Sequence, residues 1–199
     1  MKVTTPRILL VAVLAGILGV LASLWFGSSP LLRTETGQRA LHATLDATAP
    51  APPPGVIPAG RGDPMPPIAL PDLQGETLHL PDVFAGRPLL INVWASWCGP
   101  CIEEMPELER FAATQGQEGV QVIGLALDTA ANVGDFLTRI PVTYPIVLDM
   151  PGPADASVWL GNTRGVLPYT VLVDREGRIA KQKIGPFAHG EIDGWARID

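Results

Sequence analysis

The sequence is poor in the residues that build disulfide scaffolds and metal centres. It has two cysteines and three histidines in 199 residues. Two cysteines are too few for a disulfide framework or for a self-contained four-thiolate zinc site. The sequence also lacks a surplus of positive charge, since its formal net charge is −6, which argues against nucleic-acid binding. Its length allows one domain with attached segments.

The N-terminus carries one long apolar stretch. Residues 8–26 form 19 consecutive positions without a charged side chain, and Lys2 and Arg7 precede them. As a helix this stretch would reach about 28 Å, close to the thickness of a bilayer's hydrocarbon core. The alternative, a cleaved signal peptide, usually has a shorter apolar core and a small-residue cleavage site. We therefore expect residues 1–27 to be an uncleaved signal-anchor of a single-pass protein, with everything after it outside the cytoplasm.

The next segment is rich in proline. Residues 49–67 include eight prolines, a composition that favours extended polyproline geometry over a packed core. We expect residues 28–67 to be a linker that holds a domain of residues 68–199 away from the membrane. The alternative is that the end of this linker packs along the domain as an ordered arm, through residues such as Met65.

From residue 68 onward, apolar runs of strand length alternate with segments of helical periodicity. A turn at residues 71–76 is predicted to join two short strands, the first starting near residue 68 and the second covering 77–80. Further predicted strands cover 89–94, 119–127, 144–148, 169–173 and 178–184. The predicted helices are the one that carries the cysteines and ends near 114, then 130–139, 153–160 and 187–198. Alternating strands and helices closed by a hairpin indicate an α/β domain of three layers.

Both cysteines lie in the stretch WASWCGPC, residues 94–101. A Cys-x-x-Cys pair between a strand and a helix is typical of a redox site. At the start of a helix, unpaired N–H groups and the helix dipole favour an anion, so we expect the pKa of Cys98 to lie below the ordinary value of about 8.5. Cys101 lies one turn deeper and faces the core. Cys98 is therefore the candidate attacking thiol, and Cys101 the candidate resolving thiol.

Other uses of the pair fit the sequence less well. A zinc site would need a second pair of ligands, and the three histidines, His42, His79 and His189, are scattered. A covalent haem site would need histidine where Ile102 stands. A purely structural disulfide remains open, although a four-residue loop stabilises little in the loop-entropy description. We expect no metal and no cofactor beyond a redox-active Cys98–Cys101 disulfide.

The helix after the cysteines carries several acidic residues. At about 100° per residue, Glu104 falls about 60° from Cys101, inside the apolar sector, whereas Glu103, Glu107 and Arg110 fall on the solvent side. A desolvated carboxyl one turn from Cys101 would have a raised pKa and could exchange a proton with the resolving thiol. The same geometry equally allows Glu104 to turn to water or to cap a neighbouring group.

A second informative stretch is GVLPYT, residues 165–170. A proline immediately before a buried strand removes no ladder N–H. A cis Leu167–Pro168 bond would turn the chain sharply and expose the backbone of Leu167 to an extended substrate. Because most loop prolines are trans, this stretch alone is a weak signal.

Together, NVWASWCGPC with the following EMP, and G-x-x-P-x-T before VLVDREGR, resemble the thioredoxin superfamily. The match, over about residues 68–187, is most similar to the membrane-anchored TlpA/ResA-like thiol–disulfide oxidoreductases. The resemblance implies a thioredoxin-like three-layer α/β/α domain with an N-terminal strand extension and a central insertion, preceded by one transmembrane helix. It also places the catalytic domain on the periplasmic side of the inner membrane.

In such proteins the first cysteine attacks, a glutamate three residues after the second tunes the thiols, and the loop proline is cis. On this chain the implied catalytic residues are Cys98, Cys101 and Glu104. The implied substrate contacts are Trp97, Gly99, Pro100, Leu167 and Pro168. One departure is Asn92, which stands where general thioredoxins carry a buried aspartate, and this favours Glu104 as the acid of the site.

The leading hypothesis is a dithiol reductase acting on disulfides of exported proteins. The Gly-Pro pair between the cysteines matches thioredoxin, whose potential is about −270 mV, rather than oxidants near about −120 mV. The resemblance implies a membrane electron donor of the thiol-transfer type, and apocytochrome c or oxidase copper-site thiols as substrates. We expect the chain to act as a monomer.

Two alternatives remain. The same cysteines would serve a disulfide oxidase or isomerase, or would carry Cu(I) between two soft thiolates. Copper carriers of related fold use a wider cysteine spacing and a histidine ligand, which this sequence does not show. A peroxidase is disfavoured, because a peroxidatic cysteine is rarely followed by Gly-Pro-Cys.

Overall fold

The computed structural model describes residues 34–49, 51–82 and 86–198, with Gly16 as a single described position before them. Apart from Gly16, the expected signal-anchor at residues 1–27 lies outside the described residues. None of the helices within those ranges is both long enough and apolar enough to cross a membrane. The chain divides into two compact units, residues 1–41 and residues 42–199, and the redox motif lies in the second.

The order of elements predicted from residue 68 onward is confirmed. The helices are α1 (Glu35–Thr48), α2 (Gly99–Thr114), α3 (Ala130–Leu137), α4 (Ala156–Trp159) and α5 (Glu191–Trp195). The strands are β1 (Ile68–Pro71), β2 (Thr77–Leu80), β3 (Leu89–Trp94), β4 (Gln121–Leu127), β5 (Ile146–Asp149), β6 (Tyr169–Val173) and β7 (Ile179–Ile184). The largest difference is at α5, which begins four residues later than predicted, because Gly190 takes a left-handed φ of 74° as its N-cap.

The central strand β3 sets the position of the redox motif. It lies in the middle of a five-stranded sheet of order β5-β4-β3-β6-β7, parallel to β4 and antiparallel to β6. All of its residues are buried, as expected for a strand covered on both faces. The carboxyl ends of β3, β4 and β5 therefore meet the amino end of β6 at one edge of the sheet, which we call the active edge.

Side chains that alternate along β3 belong to two different apolar cores. Leu90 and Trp94 pack with residues of α2, α3 and α5, which form the helical face of the sheet. Ile91 and Val93 pack on the opposite face, under the β1–β2 hairpin, α4 and the segment before β1. This arrangement gives the three layers that the sequence pattern predicted.

Part of the expected linker is ordered on the domain. The N–H groups of Ala59, Gly62 and Met65 donate to backbone carbonyls of the domain at 2.8–2.9 Å, and the side chains of Val56 and Met65 are buried. These residues form the ordered arm named above as the alternative. The predicted domain boundary at residue 68 therefore lies within packed structure, because small and apolar side chains between the prolines pack against the sheet.

The second half of α1 also contacts the domain, at the loop before β6. Asp46 accepts a hydrogen bond from Thr163 Oγ1 at 2.7 Å, and the carbonyl of Thr48 accepts one from Arg164 at 2.9 Å. The ring of His42 lies 5.7 Å from that of Tyr169, edge to face. Residues 42–48, which lie within the expected linker, are therefore helical.

The packing of the helical face predicts a stability difference between two glycine-to-alanine changes. A Cβ at Gly124 of β4 would lie 2.5 Å from Ile146 Cδ1 and 3.0 Å from Trp94 Nε1. We expect Gly124→Ala to lower the free energy of unfolding by about 1–3 kcal/mol, because a packed core does not accept an added methyl without strain. Urea unfolding of the full-length protein measures the change.

The matched control is Gly134→Ala, in α3. No atom lies within 4 Å of a Cβ at Gly134, and alanine is favoured over glycine inside helices by about 1 kcal/mol. We expect this variant to unfold at the parent's urea concentration or above it. Equal urea midpoints for the two variants would contradict the described packing at Gly124.

Candidate active site

Cys98 is the N-cap of α2, at the active edge. Its sulfur accepts a hydrogen bond from the N–H of Cys101 at 3.3 Å, and its carbonyl accepts one from Ile102 at 3.1 Å. The two cysteines are joined in a disulfide. Cys98 is 6% exposed and Cys101 is fully buried. The predicted position of the pair, with Cys98 outside and Cys101 inside, is confirmed.

Three predicted substrate contacts surround Cys98 on the surface. Trp97 precedes it and is 67% exposed. Gly99 and Pro100 form the first exposed turn of α2, where proline is favoured because no intrahelical N–H bond is lost. An exposed aromatic ring and an uncovered helix start thus lie next to the outer sulfur.

The Leu167–Pro168 peptide bond is cis, as the resemblance implies. Pro168 is buried next to the first residue of β6, and its carbonyl accepts a hydrogen bond from Gly185 N–H at 2.9 Å. Leu167 is half-buried and packs against the apolar cluster that contains both cysteines. The topology therefore brings this loop and the cysteine turn to the same edge of the sheet.

Sequence reasoning missed Asp128, which anchors the turn before Cys98. It follows β4 directly and accepts hydrogen bonds from both the backbone N–H and the hydroxyl of Ser96. Its other oxygen accepts from Thr129 N–H and Asn132 Nδ2, each at 2.8 Å. Burial alone would raise the pKa of Asp128, but these hydrogen bonds outweigh it and lower the pKa. An acid directly after a buried parallel strand was the signal available in the sequence.

Glu104 is buried beneath the cysteines and is 2% exposed. Its Oε1 accepts from Asn92 Nδ2 at 2.8 Å, and its Oε2 accepts from the backbone N–H of Phe187 at 2.9 Å. Asn92 Nδ2 also donates to Thr170 Oγ1 at 3.1 Å. Of the possibilities left open by the sequence, Glu104 stays in the core and caps the Phe187 N–H.

Burial raises the pKa of Glu104 to about 7, although the hydrogen bonds from Phe187 and Asn92 and the charge of Lys183 work in the opposite direction. Near neutral pH the carboxyl is therefore present in both protonation states. It lies three residues after Cys101 on the same helix. A group with this pKa, one turn from a buried thiol, is suited to take the proton of that thiol and to return it.

The prediction that Glu107 faces solvent is wrong. Glu107 is 8% exposed, and it accepts from Gly190 N–H at 2.6 Å and from Arg110 Nη2 at 2.7 Å. His189 Nδ1 lies 3.1 Å from its other oxygen. The hydrogen bonds from Arg110 lower the pKa of Glu107 to about 2. The loop before α5 covers this side of α2, which the spacing of residues within one helix does not reveal.

Within residues 34–49, 51–82 and 86–198, no three histidine, cysteine or acidic side chains are grouped in a way that would hold a metal ion. The chemistry available at the described site is thiol–disulfide exchange between Cys98, Cys101 and an external sulfur.

Comparison with known proteins agrees with this geometry. The model of the redoxin family matches residues 61–195. The thiol-disulfide oxidoreductase ResA of Bacillus thuringiensis (strain Al Hakam) is 27% identical over 137 residues, covering 68% of this chain and 76% of that protein. The ResA of Geobacillus thermodenitrificans (strain NG80-2) is 30% identical over 132 residues, covering 66% of this chain and 73% of that protein. The crystal structure of StoA from Bacillus subtilis superposes with a TM-score of 0.55 at 26% identity, covering 67% of this chain and 98% of that one.

The raised pKa of Glu104 predicts a pH-dependent stability difference. A carboxyl that titrates near pH 7 when folded, against an ordinary 4.5, stabilises the fold fully only below pH 4.5. That stability is lost as the pH rises through 7. Relative to Glu104→Gln, we expect the unfolding free energy of the oxidised parent to fall by roughly 3 kcal/mol between pH 4 and 8. Denaturant unfolding of both proteins across this range measures the difference.

Glu103→Gln is the matched control, since Glu103 is the exposed neighbour on the same helix. This variant keeps Glu104, so its unfolding free energy should show the same fall between pH 4 and 8 as that of the parent. A flat difference for Glu104→Gln would show that Glu104 does not titrate near neutrality.

Proposed function

Since this chain belongs to the redoxin family and to its ResA-like thiol–disulfide oxidoreductases, we propose that it reduces disulfides of exported proteins outside the cytoplasmic membrane. One observation carries the proposal. The outer cysteine caps the start of α2, while the inner cysteine lies one helical turn from a buried carboxyl whose pKa is near neutrality.

The reduced protein would act in two exchange steps. First, the Cys98 thiolate attacks one sulfur of the substrate disulfide, the substrate S–S bond breaks, and the released substrate thiolate takes a proton from water. Next, the Cys101 thiol gives its proton to the Glu104 carboxylate and attacks the Cys98 sulfur. The Cys98–Cys101 disulfide forms, the second substrate sulfur leaves as a thiolate, and two electrons have passed to the substrate.

The reducing direction is supported by the surroundings of the sulfurs. Strong oxidants of this chemistry owe their potential to a stabilised reduced form. Here the helix start favours the Cys98 thiolate, but the carboxylate of Glu104 nearby disfavours further negative charge in a buried site. The Gly99–Pro100 pair is also that of thioredoxin. The reduced form is therefore less stabilised than in an oxidase, and it gives up its electrons more readily.

The N-terminal segment and the family support a proposal for the location and the partners. Residues 8–26 are apolar and follow two positive residues, which supports a single-pass anchor with the domain outside. A membrane electron donor of the thiol type would then restore the dithiol after each turnover. We propose apocytochrome c or the copper-site thiols of oxidases as substrates, meeting the protein at Trp97 and at the backbone of Leu167.

The division of roles between the cysteines predicts which variant traps a substrate. Reduced Cys101→Ala should form a stable mixed disulfide through Cys98, because no second thiol resolves it. Cys98→Ala should trap far less, since its remaining thiol is fully buried. Non-reducing gels of the two variants, each produced as full-length protein in membranes and quenched with acid, compare the adducts. Equal trapping by both variants would contradict the assignment.

The proposed direction predicts a low reduction potential. We expect the Cys98–Cys101 couple near that of thioredoxin, about −270 mV, when equilibrated with glutathione or dithiothreitol buffers at pH 7. A value more oxidising than about −150 mV would favour an oxidase or isomerase instead.

A further inference from the structure

A lysine is buried in the core beside the redox centre. Lys183 lies on β7 and its side chain is 2% exposed. Its ammonium group is 3.0 Å from Glu191 Oε1 on α5, and 5.2 Å from the centre of the Phe187 ring. Burying a charge is costly unless it is paired, and hydrophobic residues often replace such pairs without loss of stability. This pair therefore calls for an explanation other than stability.

The pairing of the strands places Lys183 in one row with the partners of Glu104. Asn92 of β3 is opposite Thr170 of β6, and Thr170 is opposite Lys183 of β7. Residues that are directly opposite in antiparallel strands project to the same face of the sheet, with Cβ atoms about 5 Å apart. Asn92 donates to both Glu104 and Thr170. Asn92, Thr170 and Lys183 thus form a polar row across three strands. Glu104, on α2, is hydrogen-bonded to the first member of this row.

A second connection runs through the segment before α5. The backbone N–H of Phe187 donates to Glu104, while the ring of the same residue lies beside the Lys183 ammonium. The N–H of Ala188 donates to Glu191 Oε2 at 2.8 Å. Residues 187–191 therefore contact both Lys183 and Glu104, and they include Glu191, the partner of Lys183.

We propose that Lys183 is a positioning residue of the redox centre, and that its charge, opposed by Glu191, adjusts the pH at which Glu104 takes the proton of Cys101. The inference rests on the proposed role of Glu104 in resolving the mixed disulfide. Lys183 does not react itself. It acts through the field that it creates at the carboxyl in a region of low dielectric.

The other side chains that face Glu104 carry no charge. Asn92 and Thr170 are uncharged. Tyr144, in the loop before β5, is buried, which raises the pKa of its hydroxyl and keeps it neutral. Lys183 lowers the pKa of Glu104 and Glu191 raises it. Removing one member of the pair should thus shift Glu104 in one direction, and removing the other should shift it in the opposite direction.

The test compares Lys183→Met, Glu191→Gln and the double variant in the full-length protein. The probe is the ¹³C carboxyl signal of Glu104 in glutamate-labelled protein, assigned as the signal that Glu104→Gln lacks. We expect its titration midpoint to rise by roughly half a pH unit or more in Lys183→Met and to fall similarly in Glu191→Gln. In the double variant it should return towards the parent. Glu191→Gln keeps the test decisive should Lys183→Met fail to fold.

The matched control is Lys181→Met, which removes the same charge two residues along β7. Lys181 Nζ bonds the carbonyls of Trp195 and Arg197 near the surface, where water screens its charge. The Glu104 midpoint should stay at the parent value. A purely structural role for Lys183 would lower the melting temperature without midpoint shifts of opposite sign, and this result would overturn the inference.

A second measurement separates this inference from the proposed role of Glu104. It is the pH dependence of the rate at which Cys101 resolves a mixed disulfide preformed on Cys98. Its midpoint should follow the Glu104 midpoint in every variant. If the carboxyl signal moves as expected but the resolution midpoint does not, the proposed role of Glu104 is wrong. If the carboxyl signal does not move, the inference about Lys183 is wrong whatever the rates show.

Discussion

The hydrogen bond from the Cys101 N–H to the Cys98 sulfur determines the chemistry of this protein. It makes a sulfur the N-cap of α2, where aspartate or serine would ordinarily stand. The capping atom is thereby also the reactive atom, in the field of the helix start. This requires α2 to begin where the buried strand β3 ends, with four residues, 95–98, to reverse the chain. Asp128 holds that turn by its two hydrogen bonds to Ser96.

The second constraint is a carboxyl buried in the core. An unsatisfied carboxyl there would cost several kcal/mol, so its oxygens need donors. Asn92 supplies one from the sheet, and the backbone of Phe187 supplies the other from the C-terminal segment. Neither donor titrates. Both hydrogen bonds favour the carboxylate and burial disfavours it, so the pKa of Glu104 reflects their balance together with the charges of Lys183 and Glu191.

The sequence predicted features that are set within one helix or strand, and it missed features that depend on contacts between residues distant in the chain. The strands follow from periodicity within single elements and the cysteine turn from its local motif, whereas the spacing within α2 left Glu104 able to face either the core or water. Glu107 obeys the same helical spacing and yet is buried, because Gly190, 83 residues later, lies over it. Asp128 and Lys183 acquire their roles through strand order and register, which no pattern within one strand encodes. The cis bond at Pro168 was predicted from the family resemblance and not from the local residues.

These long-range contacts make the C-terminal segment a part of the redox centre. Glu104 and Glu107 lie one turn apart on α2. The carboxylate of Glu104 accepts a hydrogen bond from the N–H of Phe187, and that of Glu107 accepts one from the N–H of Gly190. When Glu104 takes a proton, its charge-assisted bond to Phe187 weakens. The bond at Gly190 does not change, because Glu107, with a pKa near 2, stays ionised. The loop from Phe187 to Gly190 is therefore held at Gly190 whether or not Glu104 carries a proton.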